Sequence, residues 1–337
     1  MNSLSIVIIG RNEESLIAQC LQSVLTAAEE VGGAEVVMVD SASTDRTVEI
    51  ARSLNVPVLS LKPEWGMSAS AGRYVGFHHT HGESVMFVDA DTVIERDWFR
   101  AALPYFDQAD VAGVMGYLKD FDEQGHELPY VGQRSTQVRD MPWLRGIGLY
   151  RRSAMHQAGT FNPYVTTEEE AELAFRLRRH GFRLLQVPHA MGSHLRGASA
   201  RSFLRRNMHH YRLAPLGRTL RYALSAGVGP QFFFQRFRPT LEFVGTISTL
   251  LAGAAFFWLD HRLMAEVILG MDAAVFAAIA IKKRNPMGPL IYCAQHSQIL
   301  YGLLTGFFTA EVKDPRDYPL DAIETRSPQY HTVECRG

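Results

Sequence analysis

Val85-Met-Phe-Val-Asp-Ala-Asp91 is the stretch that decides the fold. Four uncharged apolar residues read as a short buried strand, and two carboxylates spaced i and i+2 follow at once. Short apolar runs with no polar alternation belong to sheets covered on both faces, the habit of parallel sheets with helical crossovers. The sequence upstream repeats the pattern. Leu4–Ile9, Glu35–Val39 and Val56–Leu59 are further strand candidates, and Glu13–Glu29, Thr44–Ser53 and Ser68–His79 are helical stretches between them. Apolar runs alternating with helices predict an open, doubly wound α/β fold with a mostly parallel sheet flanked by helices. Ligands in such sheets lie beyond the carboxyl ends of the strands. That rule directs attention to Gly10–Glu14, Asp40–Asp45 and Asp89–Thr92.

Composition bounds the rest. The chain has 337 residues, 47% of them hydrophobic, and a formal net charge of −1. A charge so near zero gives no argument for a nucleic-acid partner, and none is expected. The three cysteines, Cys20, Cys293 and Cys335, have no spacing that builds a zinc site or a disulfide framework, so a reducing, cytoplasmic setting is expected. Leu4–Ile9 lacks a basic leader and is too short for the apolar core of a signal peptide.

Beyond residue 195 the chemistry changes. Arg196–Arg238 holds nine arginines and no Asp or Glu. Two apolar segments of about 19 residues follow, Leu241–Leu259 and Leu263–Ile281, a length that reaches across a bilayer core. Basic clusters precede the first and follow the second, as Lys282-Lys283-Arg284, so the positive-inside rule puts both flanks in the cytoplasm. Asp272, near the middle of the second segment, opposes insertion by about 3 kcal/mol. Pro289–Ala310 is a third apolar stretch, weakened as a span by Gln295, His296 and Gln298. The expected organisation is a catalytic domain over 1–212, a basic amphipathic segment over 213–240, apolar helices over 241–312 with a transmembrane hairpin, and a polar tail over 313–337.

Asp89 and Asp91 at a strand end can face one polar cavity. Such a pair suits a hard divalent cation, Mg2+ or Mn2+, together with phosphate oxygens. Taken alone, Asp-x-Asp is also what a strand-end turn with a helix cap looks like. Asp40 ends the second strand, where a carboxylate can accept hydrogen bonds from a base or ribose, while Thr44 or Asp45 can cap the next helix. Arg11-Asn12-Glu13 occupies the equivalent rim after the first strand, and no Gly-x-Gly-x-x-Gly marks a dinucleotide site there. Glu168, Glu169, Glu170 and Glu172 exceed what helix capping needs. Their mutual repulsion should raise at least one pKa, which suits a general base.

In order, Ser5-Ile-Val-Ile-Ile-Gly-Arg-Asn-Glu13, Val39-Asp-Ser-Ala-Ser-Thr-Asp45 and Phe87-Val-Asp-Ala-Asp91 resemble the family 2 glycosyltransferases, inverting enzymes of the GT-A fold. Met67–Tyr74 is similar to the family's small-residue segment ending in Ala-Arg-Asn, with Gly72 in place of the alanine and Tyr74 in place of the asparagine. Gly146–Arg152 and Gly159-Thr-Phe161 resemble the acceptor-side segment with its paired basic residues. Glu169–Leu177 resembles Glu-Asp-x-Asp/Glu followed by a basic residue. The resemblance covers roughly residues 3–212. It implies Glu170, with Glu169 beside it, at the catalytic base position normally held by aspartate. It implies Arg11, Asn12, Glu13, Asp40, Arg73 and Asp89 against the donor nucleotide, and Asp89, Asp91 and His194 as the metal set. The segment Phe203–Tyr211 lacks the family's processive Gln-x-x-Arg-Trp motif.

The resulting expectation is a metal-dependent inverting transferase at the cytoplasmic membrane, its catalytic domain facing the cytoplasm. It would use a nucleotide-sugar donor and an acceptor that can be lipid-linked. A nucleotidyltransferase, or a non-catalytic membrane scaffold with a degenerate transferase fold, are the alternatives.

Overall fold

The computed structural model describes residues 3–119, 127, 136–194, 214–320 and 324–326. The chain divides into two compact units, Met1–Asn207 with Lys313–Gly337, and Met208–Val312.

The first unit is built on a ten-stranded sheet. Its strands are β1 Leu4–Gly10, β2 Glu35–Asp40, β3 Val58–Ser60, β4 Ser84–Asp89, β5 Thr92–Ile94, β6 Val111–Lys119, β7 Arg139–Asp140, β8 Gly148–Arg151, β9 Arg183–His194 and β10 Glu324–Arg326. Their order is β10-β3-β2-β1-β4-β8-β6-β9-β5, with β7 beside β9. The quartet β3-β2-β1-β4 is parallel, as the alternating pattern predicts. Beyond β4 the sheet is mixed: β8 runs antiparallel to both β4 and β6, while β6 and β9 are parallel. A short apolar run reads alike in either direction, so its sequence cannot announce that reversal.

Helices α1 Ile17–Glu29, α2 Thr47–Ser53, α3 Ala69–His78, α4 Trp98–Ala102, α5 Arg152–Ala158 and α6 Glu169–Arg179 complete this unit. The amphipathic α1 buries Ile17, Cys20, Leu21, Val24 and Ala28, one stripe at helical spacing. It starts four residues later than the sequence pattern indicates, because Arg11–Leu16 is used to shape the rim and Asn12 takes a left-handed turn at φ 57°. The helix α2 starts at Thr47, whose backbone N–H donates to Asp45 Oδ1 at 3.0 Å, so Asp45 has the capping role.

The two departures in the small-residue segment have packing causes. A Cβ on Gly72 would lie 3.0 Å from Ile9 Cγ2, so glycine lets α3 sit close on β1. Tyr74 is buried, with its ring 4.5 Å from that of His78 and 6.0 Å from that of Tyr318. Tyr318 belongs to the segment that follows the apolar helices. That segment joins the first unit instead of trailing as a polar tail: Tyr318 is buried and β10 adds an antiparallel edge to β3. The last residues of the expected tail, 327–337, lie outside the described residues.

Among the described residues, the second unit contains α7 Ala214–Ser225, α8 Gly229–Trp258, α9 Arg262–Lys283 and α10 Gly288–Thr309. The expected apolar segments fall on α8 and α9, and both are long and apolar enough to cross a membrane. Thr249 Oγ1 donates to Asp272 Oδ1 at 2.7 Å, joining α8 to α9. Thr240 and His296 share a 3.0 Å hydrogen bond, and Tyr292 donates to the Pro239 carbonyl at 2.8 Å, joining α8 to α10. The arginines of 196–212 lie outside the described residues.

Candidate active site

Strand register assembles the rim. Gly10 pairs with Asp40 across β1 and β2, and Ile9 pairs with Asp89 across β1 and β4. Three loops far apart in sequence therefore leave the sheet at one level. They enclose a cavity of about 350 Å³ lined by Gly10, Arg11, Glu13, Ser41, Met67, Ser68, Asp89 and Asp91 among others. The position is the carboxyl edge of the parallel strands, where open α/β sheets bind ligands.

Among the expected donor contacts, Arg11, Glu13 and Asp89 line this cavity. Asn12 and Asp40 are not among its lining residues. The Asn12 side chain accepts from the Thr44 backbone N–H at 2.8 Å, and its own N–H donates to Ser43 Oγ at 2.9 Å. Asp40 is buried and accepts both the backbone N–H and the hydroxyl of Ser43. These two residues shape the β2–α2 loop that presents Ser41 to the cavity. Met67 and Ser68 are lining residues that sequence reasoning did not single out; their signal was the small-residue segment itself.

Arg73 lies under the floor of the site. It is 2% exposed, donates to Glu169 Oε1 at 3.0 Å and to Asp89 Oδ1 at 3.2 Å, and has Glu170 Oε1 at 3.5 Å. Its guanidinium also sits 5.3 Å from the centre of the Phe161 ring. One buried cation thus holds three carboxylates from two elements, β4 and α6. Arg73 binds the machinery rather than facing the cavity opening. Gly146, at φ +30°, closes over the cluster: a Cβ there would lie 3.3 Å from Asp89 Oδ2 and 3.8 Å from both Arg73 Nη2 and Glu170 Oε1. Gly146 was legible only as part of a family-like segment, not as the residue that leaves room above the carboxylates.

The four glutamates separate by environment. Glu168 takes a left-handed conformation at the entry to α6. Glu172 is buried and paired with Arg176 through two 2.7 Å contacts, while Arg176 also donates to the carbonyls of Ala158, Gly159 and Thr160. That pair is a structural clamp on the loop after α5. Glu169 is engaged by Arg73. Glu170 is raised to about 7, first by desolvation and then by the negative charge of Glu169, with Arg73 acting in the opposite sense. Such a value suits a base working near neutrality. The paired basic residues Arg151 and Arg152 are structural: they donate to backbone carbonyls of Phe106, Gln108 and Val111, and of Phe77 and Gly82.

The expected metal set is brought together in part. Thr92 pairs with His194 across β5 and β9, which places His194 one residue along from Asp91 on the neighbouring strand. No cluster of three His, Cys, Asp or Glu side chains that could hold a metal forms among the described residues. The donor set nevertheless fits a hard cation. Asp91 is half-buried at the cavity, Asp89 keeps Oδ2 away from its Arg73 contact, and a magnesium-like ion takes one or two protein carboxylates with phosphate oxygens. The Cys20 thiol, fully buried, is pushed up to about 12 by that burial.

A sequence profile for glycosyl transferase family 2 matches residues 5–164. The β-monoglucosyldiacylglycerol synthase of Synechocystis is 26% identical over 196 residues, 53% of this chain and 41% of that protein. The chain therefore spans less than half the length of this curated relative. Among solved structures, the mannosyltransferase PcManGT of Pyrobaculum calidifontis, in complex with GDP-Man and Mn2+, superposes with a TM-score of 0.61 at 17% identity, covering 92% of this chain and 88% of that one. Residues 1–349 of TarS from S. aureus, in complex with UDP-GlcNAc, give a TM-score of 0.54 at 16% identity, covering 91% of each chain. At such identities the likeness concerns the fold, which is GT-A.

Proposed function

We propose that the chain acts as a family 2 glycosyltransferase, the family whose profile matches residues 5–164, and that it transfers a sugar, with inversion, from a nucleotide-diphosphate donor to an acceptor hydroxyl at a membrane. The observation that carries this reading is the convergence of Asp89, Asp91, Arg73 and Glu170 at the carboxyl edge of the parallel strands, next to a cavity of about 350 Å³.

The donor nucleotide lies over Arg11–Glu13 and the Ser41 loop. Asp89 and Asp91, with His194 near, would hold a divalent cation, which when bound supplies positive charge to the diphosphate. Arg73 keeps Asp89 and Glu170 in fixed relation, so neither has to reorganise during reaction. Glu170 removes the proton of the acceptor hydroxyl. The oxygen attacks the anomeric carbon from the face opposite the diphosphate, the bond to the diphosphate breaks, and the centre inverts. The apolar helices of the second unit support a membrane-borne acceptor, with the catalytic unit on the cytoplasmic side, where nucleotide sugars are available.

The test is a donor screen. Full-length protein in detergent, given UDP- and GDP-sugars with Mn2+ or Mg2+ and membrane lipid extract, should release nucleoside diphosphate and form a glycosylated product. Release of pyrophosphate from a nucleoside triphosphate, with no sugar nucleotide consumed, would replace this reading with a nucleotidyltransferase.

A further inference from the structure

We propose that α8 and α9 cross the bilayer as a single hairpin, and that α10, the third apolar helix, does not cross. The proposal rests on the membrane reading above and fixes its topology. Four observations carry it.

The first is the inside-out surface of α9. Its buried side chains are Ala265 and Asp272, whereas Leu263 is 74% exposed, Met271 67% and Ile281 77%. A helix in a water-soluble core has the opposite arrangement. A helix in lipid keeps its polar group toward a neighbouring helix and its apolar groups outward.

The second is Asp272 itself, the residue that argues against insertion. It is 5% exposed and receives the Thr249 hydroxyl from α8 at 2.7 Å. It therefore faces the interior of the hairpin.

The third is the fit of length and charge. Leu263–Ile281 spans about 28 Å at helical rise, against a hydrocarbon core of about 30 Å. Arg236 and Arg238 precede the apolar part of α8, and Lys282 and Arg284 follow that of α9. In an antiparallel hairpin these flanks lie at the same end, as the distribution of basic residues requires for one cytoplasmic side.

The fourth is chain parity. Lys313 onward belongs to the first unit, with Tyr318 buried against Tyr74 and β10 hydrogen-bonded to β3. The described residues up to His194 belong to that unit as well, and 195–213, with five arginines and no long apolar run, reads as no span. The chain thus enters and leaves the helical unit from the same folded unit, so the number of crossings between those two points is even. Lys313 lies four residues beyond Thr309, a reach of at most about 14 Å, too short to recross. If α8 and α9 cross, α10 stays on the catalytic side. Its packing agrees: Arg221 of α7 donates to the Phe307 carbonyl at 3.0 Å, and a Cβ on Gly217 would meet the Leu303 carbonyl at 2.1 Å. The helix α7 has 12 residues, about 18 Å, and is too short to span.

The experiment adds one cysteine at a time, at Asp260, Met287 or Lys313, to the full chain with Cys293 and Cys335 changed to serine; the remaining Cys20 is fully buried, and the chain without an added cysteine gives the background. Each variant is first required to retain wild-type donor turnover. A membrane-impermeant maleimide is applied to sealed vesicles whose outer face corresponds to the cell exterior. Only the cysteine at position 260 should label at once; those at 287 and 313 should label after permeabilisation. Labelling at 287 or 313 before permeabilisation would overturn the parity argument. No labelling at 260 in protein that resists alkaline extraction would overturn the crossing while leaving membrane attachment in place. Protein that stays soluble without detergent, its helices covered by a second copy, would overturn both this topology and the membrane reading.

Discussion

Glu170 differs from its neighbours in surroundings, not in chemistry. Glu172 shares a methylene count and a helix turn with it, yet is locked to Arg176, and Glu169 is held by Arg73. The sequence showed four glutamates in one helical turn and implied that repulsion would raise one of them. Which one is raised depends first on burial in the folded site, with Arg73, nearly 100 residues away, acting against it, so no local pattern could assign it. Arg73→Met removes the cation that lowers the Glu170 pKa. The acidic limb of the pH–rate profile, centred near 7 for the wild type and rising with pH as Glu170 loses its proton, should therefore move to higher pH. Stability should fall by about 3–5 kcal/mol, because buried carboxylates lose their partner. A pH titration of kcat and a denaturant melt measure the two effects. Arg176→Met gives the contrast. It opens the clamp on Ala158–Thr160 and should lower the melting midpoint while leaving the position of the pH–rate limb unchanged. A moved limb would place Glu172 in the chemistry after all.

At the scale of elements, the parallel quartet and its rim were readable because each strand is an apolar run ended by a polar loop. Register did the rest, aligning Gly10, Asp40 and Asp89. The reversed strands were not readable, nor was the return of the chain after α10. Polar, proline-containing sequence over 313–320 reads as a tail. Tyr318 nevertheless packs against Trp65, Tyr74 and Tyr164, and its hydroxyl donates to the Gly66 carbonyl at 3.4 Å. Gly66 leads into Met67 and Ser68, which line the donor cavity. Tyr318→Ala should cost about 3–5 kcal/mol, the usual range for deleting a large buried aromatic. It should also raise KM for the donor more than it lowers kcat, since the wall loosens while Glu170 stays put. Tyr318→Phe, which keeps the ring, should restore most of both. Steady-state kinetics on the pair decide whether the ring or the hydroxyl matters.

At the scale of the whole molecule, the chain divides into two compact units, and the change of composition beyond residue 195 was visible in the sequence. The arginine-rich stretch and the apolar helices were visible from residue counts, whereas the destination of Asp272 depended on a threonine in another helix. The proposed metal dependence belongs to this scale because it would join protein to donor. Asp91→Ala should abolish turnover with the fold intact, and excess EDTA should do the same reversibly; full activity in EDTA would remove the cation from the reaction. The most direct measurement compares Glu170→Gln with wild type at saturating acceptor, using the donor found by screening, with donor affinity measured separately by titration. Loss of a positioned general base typically costs about 10²–10⁴-fold in rate. A loss of that size in nucleoside diphosphate release is expected, with donor Kd within a few-fold of wild type. A Glu170→Gln rate within a few-fold of wild type would contradict it.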